Sequence, residues 1–462
     1  MTPSTTDHDP DRDHRPDAGS AANNAARLVA VDTFFSTEQP SAAFGFGAAS
    51  VGALTLAHVR VRLADRHGRE AEGWGAIFLS HPWAFPGSDV APAEKDRRMR
   101  GALEATGQAM AASGAYGHPL DHFLAAEPTL DGLDMPRLAA LVAISPLDAA
   151  IHDAYGRLHG ISAYAALGPD HVGWDLSRVL GPAFAGRYLP EFLRADPIPV
   201  LPIAHTVGSA DPLTSAERTG AYPSLDEWIA SDGVRAFKVK LKGQDLAWDV
   251  ARLCRVHDVA SEVTGQAKSI RLFADLNEQG PSLAYIDALL DGLNARSPAA
   301  FAALDALEQP ATRDLGADAV DLHGVSARVP VVLDEGLTSL AAIDRAVALG
   351  WNGIALKTCK THSLMLLALA KASALGLHVS VQDLTNPGIA LLHSAGLAAR
   401  LPVTEPLESN QRQYFPETSA PEAARYPAIY SVRGGVIPTG ELVGPGLGYG
   451  DPGSIPRTIF TT

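Results

Sequence analysis

Between about residue 197 and residue 408 the chain alternates short apolar strands with helices, seven or eight times over. Each strand must then lie parallel to the next, because the intervening helix carries the chain back to the starting edge. The strands read as 197–203, 234–243, 270–277, 303–309, 329–335, 353–359, 378–384 and 403–408. The helices read as 245–263, 282–295, 339–349, 363–375 and 388–399. Such repetition predicts an α/β chain closed into a βα-barrel. A doubly wound open sheet is the alternative, but the glycine fingerprint of a dinucleotide-binding version is missing.

The N-terminal third follows other rules. Ala57–Leu63 alternates apolar and polar residues, Asp65-Arg66-His67-Gly68 makes a turn, and Glu72–Leu79 resumes a strand. The Phe44-Gly45-Phe46-Gly47 stretch reads as a mobile loop. From Ala93 to Leu167 the pattern is helical, clearest over Pro146–Gly156. Four segments are therefore expected: a solvated, disordered tail over 1–26, an α+β domain over 27–168, the barrel over 195–410, and a C-terminal segment, 411–462, returning to the α+β domain. The tail has no apolar stretch, so no signal peptide is expected.

A net charge of −15 argues against nucleic-acid and membrane-surface binding. No apolar run is long enough to span a bilayer. The two cysteines, Cys254 and Cys359, make no disulfide framework and suit a reducing cytoplasm. Cys359 reads as a packing residue rather than a nucleophile, since no histidine partner is evident.

Chemistry concentrates at the ends of successive strands. Phe237, Val239 and Leu241 alternate with Lys238, Lys240 and Lys242, a strand with one apolar and one cationic face. The next three strands end in Asp275, Glu308 and Asp334-Glu335, and the one after them in Lys357. Strand C-termini converge on one mouth of a βα-barrel. Carboxylates gathered there repel unless a hard divalent cation neutralises them, and oxygen-only ligation suits Mg²⁺. The bland alternative is that each carboxylate caps the following helix. A bound Mg²⁺ can hold a substrate carboxylate and stabilise the enediolate formed when the α-proton leaves. A lysine whose pKa is lowered by neighbouring cations can remove that proton. Lys240 and Lys357 arrive from strands on either side of the carboxylates.

The order Lys-x-Lys, Asp-x-Asn, Glu-Gln-Pro, Asp-Glu, Lys-x-x-Lys resembles the enolase superfamily, in particular its two-lysine, muconate-lactonizing-enzyme-like subgroup. The resemblance runs from about Leu28 to Gly450 and includes the glycine-rich tail Gly434–Gly448. It implies a modified TIM barrel, (β/α)7β, with an N-terminal α+β capping domain. It implies Asp275, Glu308 and Asp334 as Mg²⁺ ligands, with Mn²⁺ as the alternative ion. Lys240 and Lys357 become the acid/base pair, and Lys238 contacts the substrate carboxylate and tunes Lys240. Asn277 and Glu335 lie behind the ligands. A register with Lys240 and Lys242 as the lysine pair is the alternative.

The chain also departs from the family. Thr361-His362 stands where relatives usually carry two glycines, and the seventh strand ends in Gln382-Asp383-Leu384-Thr385-Asn386 without the usual glutamate. The last strand has Glu405-Pro406-Leu407-Glu408-Ser409-Asn410 in place of the paired aspartates with which dipeptide epimerases hold an ammonium. Gln382, Asp383, Thr385, Asn386 and His205 are candidate substrate-binding residues, as is Trp83 from the capping domain. The expected reaction is racemisation or epimerisation of a small carboxylic acid. Dehydration or cycloisomerisation of a hydroxylated or sugar acid is the alternative, and a catalytically silent scaffold the non-enzymatic one. A homo-oligomer is expected by the same resemblance.

Overall fold

Strand pairing near the N-terminus follows the alternation of the sequence. The computed structural model describes residues 18–42, 44–46 and 49–450. Its strands are β1 (Ala26–Glu38), β2 (Phe44–Phe46), β3 (Ala49–Val51), β4 (Leu54–Asp65) and β5 (Glu70–Phe78), then β6 (Val200–Val207), β7 (Ala236–Lys240), β8 (Arg271–Asp275), β9 (Leu304–Glu308), β10 (Val331–Leu333), β11 (Gly353–Lys357), β12 (His378–Gln382), β13 (Leu407–Glu408) and β14 (Val436–Pro438). β1, β4 and β5 form an antiparallel sheet in the order β1-β4-β5.

The helix Arg137–His159 covers that sheet. It is longer than the expected Pro146–Gly156, and Pro146 sits inside it. Proline leaves the carbonyl four residues back without its partner. Here Ser145 Oγ donates to Val142 O at 2.9 Å and takes that place. Close approach of helix and sheet depends on glycine: a Cβ at Gly75 would lie 2.1 Å from Pro146 O.

Two other expectations are corrected. Phe44–Phe46 pairs with Ala49–Val51 as a strand rather than a loop, while residues 43, 47 and 48 lie outside the described residues. The stretch read as a tail contains the helix Ala18–Asn24, anchored where Asn24 Nδ2 donates to Asp170 O at 2.9 Å and Ala21 is buried. Residues 1–17 lie outside the described residues.

Eight parallel strands follow in the order β12-β11-β10-β9-β8-β7-β6-β13, so the last strand pairs beside the first. The first was expected at 197–203 but spans Val200–Val207, which carries Thr206 to the C-terminal end of the sheet. A helix at Leu225–Asp232, which the apolar pattern did not reveal, joins it to β7. β14 adds an antiparallel strand to β6, and the chain beyond it reaches the N-terminal region, where Leu447 N donates to Asp153 Oδ1 at 2.9 Å. Among the described residues no helix is long and apolar enough to cross a membrane.

Period-two alternation places the site. Ala204, Ala236, Phe273, Ala306, Val332 and Ala355 form an apolar layer inside the curled sheet, one from each of six adjacent strands. Two residues further along, each chain presents Thr206, Lys238, Asp275, Glu308, Asp334 and Lys357 to the same interior. The floor is apolar and the layer above it is ionic.

Candidate active site

The acidic strand ends are not helix caps. Asp245, Ser282, Ser339 and Thr361 accept from the first turns of the helices that follow them, which leaves the carboxylates free for other work.

Lys238 Nζ lies 2.7 Å from Glu308 Oε1, 2.8 Å from Gln382 Oε1, 3.1 Å from Glu408 Oε2 and 3.2 Å from Asp275 Oδ2. Burial opposes its charge, but Glu308, Glu408 and Asp275 outweigh that, so its proton is held well above the usual lysine range. Lys240 Nζ pairs with Asp275 Oδ2 at 2.5 Å. Lys357 Nζ pairs with Asp334 Oδ2 at 2.8 Å and lies over the Trp83 ring, 4.9 Å from its centroid. Burial again opposes the charge and Asp334 outweighs it, so the Lys357 pKa is raised. Lys242 is exposed and rests on Trp248, so the buried pair on β7 is Lys238 and Lys240.

The three expected ligands come from neighbouring strands, with Asp275 opposite Glu308 in the β8–β9 register. Burial and then Asp275 push the Glu308 carboxyl up to about 8. Asp334 is driven far down: burial raises it, but Lys357 and Lys360 dominate. Glu335 Oε1 accepts from Trp83 Nε1 at 2.9 Å and Asn277 Nδ2 at 3.1 Å, joining the N-terminal domain to the barrel mouth.

Of the other candidates, Asp383 and Thr385 line one cavity with Trp83, Lys240 and Lys357. Burial and Glu408 push Asp383 up to about 7. Gln382 is committed below the mouth, accepting from Lys238 and donating to Glu308 Oε2 at 2.6 Å. Asn386 is committed too, donating to Ser394 Oγ at 2.8 Å. His205 is not at the mouth: it points away from the interior, against Trp228 and Phe237, with Arg412 3.1 Å from Nδ1. Strand alternation explains this, since its neighbours Ala204 and Thr206 point inward. Cys359 is buried and its thiol is pushed up to about 12 by burial, which makes it inert.

Sequence reasoning missed Thr206, Glu408 and Asn410 as cavity residues, and gave Lys360 no role. Lys360 is fully buried and donates to Asp334 O at 2.5 Å and Oδ1 at 2.9 Å. The polar residues ending the last strand were the available signal for Glu408 and Asn410. Backbone strain marks the same rim. Asn277, Glu278, Gln309, Thr361 and Thr385 have φ of 41°, 69°, 36°, 75° and 56°, unusual for residues other than glycine.

A divalent cation fits this donor set in kind. Asp275, Glu308, Asp334, Glu335, Asp383 and Glu408 are buried beside Lys238, Lys240, Lys357 and Lys360, so acidic groups outnumber ammoniums by two. Buried Glu335 Oε2 makes no hydrogen bond. The geometry is not that of a ready metal cage, because lysine ammoniums already sit on the carboxylates. Among the described residues, no three His, Cys, Asp or Glu side chains are disposed to hold a metal ion. Cation binding therefore requires Lys238, Lys240 and Lys357 to yield those oxygens.

Residues 223–450 match a family described as enolase C-terminal domain-like. No curated protein matches the chain. A mandelate racemase/muconate lactonizing protein from Herpetosiphon aurantiacus is similar in structure, with a TM-score of 0.59 at 20% identity over 83% of this chain and 89% of the other. So is a muconate lactonizing enzyme from Pseudomonas fluorescens complexed with muconolactone, with a TM-score of 0.59 at 17% identity over 92% and 96%. A dipeptide epimerase from Enterococcus faecalis V583, complexed with Mg and the dipeptide L-Leu-L-Tyr, gives a TM-score of 0.61 at 17% identity over 91% and 99%. The family match is confined to residues 223–450, and the likeness to these structures is one of fold.

Proposed function

Starting from an enolase C-terminal domain-like region over residues 223–450, we propose that this chain is a two-lysine, Mg²⁺-dependent enzyme that moves the proton α to a carboxylate, most simply a racemase or epimerase of a small carboxylic acid. The observation that carries the reading is that Lys240 and Lys357 line one cavity, each held by a different buried carboxylate.

Asp275, Glu308 and Asp334 would hold the metal. Its chemistry would be to neutralise the charge that develops on the substrate carboxylate as the α-proton departs. The rest belongs to the chain. Lys238, also bound to Glu408 and Gln382, keeps its proton and supplies fixed positive charge in the ionic layer. Lys357 is held protonated by Asp334, so it starts as the acid. A cation held by Asp334 would weaken that support and so ease release of the Lys357 proton. Lys240 and Lys357 then act in turn: one takes the α-proton from one face and the other returns a proton to the opposite face. Trp83, packed over Lys357, keeps water from that ammonium.

The test is proton NMR in D₂O with Mg²⁺ and a panel of hydroxy, sugar and N-acyl amino acids. Deuterium at Cα of both stereoisomers is expected. A new vinylic or keto signal would indicate elimination instead. No exchange on any acid, together with no Mg²⁺ binding by calorimetry, would refute the proposal.

A further inference from the structure

Beside its ionic side chains the cavity has an uncharged wall. Thr206 and Gly208 reach it from the end of β6, and Tyr414 reaches it from the chain after β13. The ladder between those strands ends at Ala204 and Glu408, so side chains must hold the wall together beyond it. Gln413 does so at Thr206: Nε2 donates to Thr206 O at 2.8 Å, and Oε1 accepts from Thr206 N at 3.3 Å.

Asp211 does so further along. Its Oδ2 accepts from Gly208 N at 2.8 Å, from Tyr414 Oη at 3.0 Å and from Tyr222 Oη at 3.4 Å. A Cβ at Gly208 would lie 2.9 Å from Asp211 Oδ1, a closeness that glycine permits. The Tyr222 and Tyr414 rings stack 5.8 Å apart and 6° from parallel. Arg252, on the helix Leu246–Thr264, donates to Gly208 O at 2.6 Å and to Asp211 O at 2.8 Å, which fixes the turn. Asp211 does not itself line the cavity; it acts through Gly208 and Tyr414. Removing its carboxylate releases both at once, while Gln413 still holds Thr206.

The cavity measures about 20 Å³, room for about one water. Which acids enter therefore depends on how far a wall yields. We propose that Asp211 is a positioning residue for substrate selection: by tying Gly208 to Tyr414 it limits how large a side chain the substrate can carry. That the substrate is an acid rests on the proton-transfer reading above; the wall does not.

Two measurements test it, and the first needs no substrate. Lys240, 8% exposed and lining the cavity, is labelled with cyanate, a small amine reagent, or with trinitrobenzenesulfonate, a bulky one. Mass spectrometry of the modified peptide gives each rate. Asp211→Ala should speed the bulky reagent about tenfold relative to cyanate, the margin of a misfit by one methylene. Asp211→Asn, which keeps an acceptor, should restore most of the difference. Tyr414→Phe, which removes one bond and keeps the ring, should show the same shift at smaller size and serves if Asp211→Ala does not fold. The second measurement is α-proton exchange in D₂O with Mg²⁺ and lactate, 2-hydroxybutyrate or 2-hydroxyhexanoate. Asp211→Ala should raise KM for lactate about three- to tenfold, the margin of lost hydrogen bonds, lower it for the longest acid, and leave kcat nearly unchanged. Equal acceleration of both reagents, or no labelling of Lys240 in any variant, would overturn the assignment. Exchange by the parent with its chain-length preference unaltered in Asp211→Ala would also overturn it and leave proton transfer standing. The labelling shift without exchange of any acid would uphold the wall and refute the proton-transfer reading instead.

Discussion

At the barrel mouth four lysines and six acidic side chains are buried together, whereas at the seam between the barrel helices and the N-terminal domain four histidines are buried together. His118, His152, His362 and His393 form that second group, with ring centroids 6.2, 4.7 and 4.8 Å apart in sequence along it. His393 Nε2 lies 2.9 Å from His362 Nδ1, and His152 Nε2 lies 2.9 Å from Ser363 Oγ, which donates to Asp148. Burial lowers all four pKa values, to about 3 for His152 and His393. Desolvation acts in both regions. It wins at the seam, where no carboxylate touches the rings, and is outweighed at Lys238 and Lys357, which carboxylates touch, though it still raises Glu308 and Asp383. Lys238 and Lys357 keep their charge at the mouth, and the histidines of the seam stay neutral.

Removing a charge from the mouth should have the largest effect. Lys357→Met should cut exchange about 10²–10⁴-fold, the usual contribution of one acid/base group, on one stereoisomer's face, with Lys240→Met acting on the other. Isotope exchange measured on each enantiomer separately would check this, and equal loss on both faces would break the opposed-lysine arrangement.

Asp334→Asn leaves Lys357 and Lys360 buried without their shared counter-ion. Breaking a buried pair in this way costs about 3–5 kcal/mol, so the urea midpoint should fall sharply. Replacing Lys360 by Met in the same chain should restore part of the loss, because one stranded charge goes with it. No restoration would mean that Lys360 does not depend on Asp334.

At the seam the sign runs with acid. His152 and His393 have folded pKa values below the ordinary 6.5, so their contribution is whole above pH 6.5 and is lost as pH falls from there towards 3. At pH 5 each should weaken the fold by about 2 kcal/mol. Asp148, pushed up to about 6 by burial, runs the other way, losing stability as pH rises from 3.8 towards 6. His393→Leu should flatten the acid limb of a thermal-denaturation series and leave pH 8 nearly unchanged. An unaltered acid limb would refute the neutral-cluster account.

Asp383 gives a second pH test, at the mouth. Its folded pKa of about 7 lies above the ordinary 3.8, so stability is whole below pH 3.8 and declines as pH rises towards 7. Asp383→Asn should therefore melt higher than the parent at pH 8 and nearly alike at pH 4. Calorimetric melting at both pH values would show it.

Strand-helix alternation was legible because apolar periodicity is local, and it fixed the order of the eight strands and most helix positions. So were Lys238, Lys240, Asp275, Glu308, Asp334 and Lys357, since each follows an apolar run at a strand end. Helix Leu225–Asp232 and the start of Arg137–His159 escaped because a proline and mixed polarity obscured them. His205 was misplaced by one step of alternation, which sends a side chain to the opposite face of a sheet.

The sequence by itself determined which residues alternate, and hence that a ring of lysines and carboxylates ends the strands. Only the tertiary structure decided which ammonium meets which carboxylate and that Trp83 reaches Lys357 from the other domain. It alone showed that Asp383, Thr385 and Asn410 line the cavity with Lys240 and Lys357. The physical reason is range. Periodicity acts between neighbours in the chain, whereas ion pairing and desolvation act between neighbours in space, and Trp83 and Glu335 meet across 252 residues.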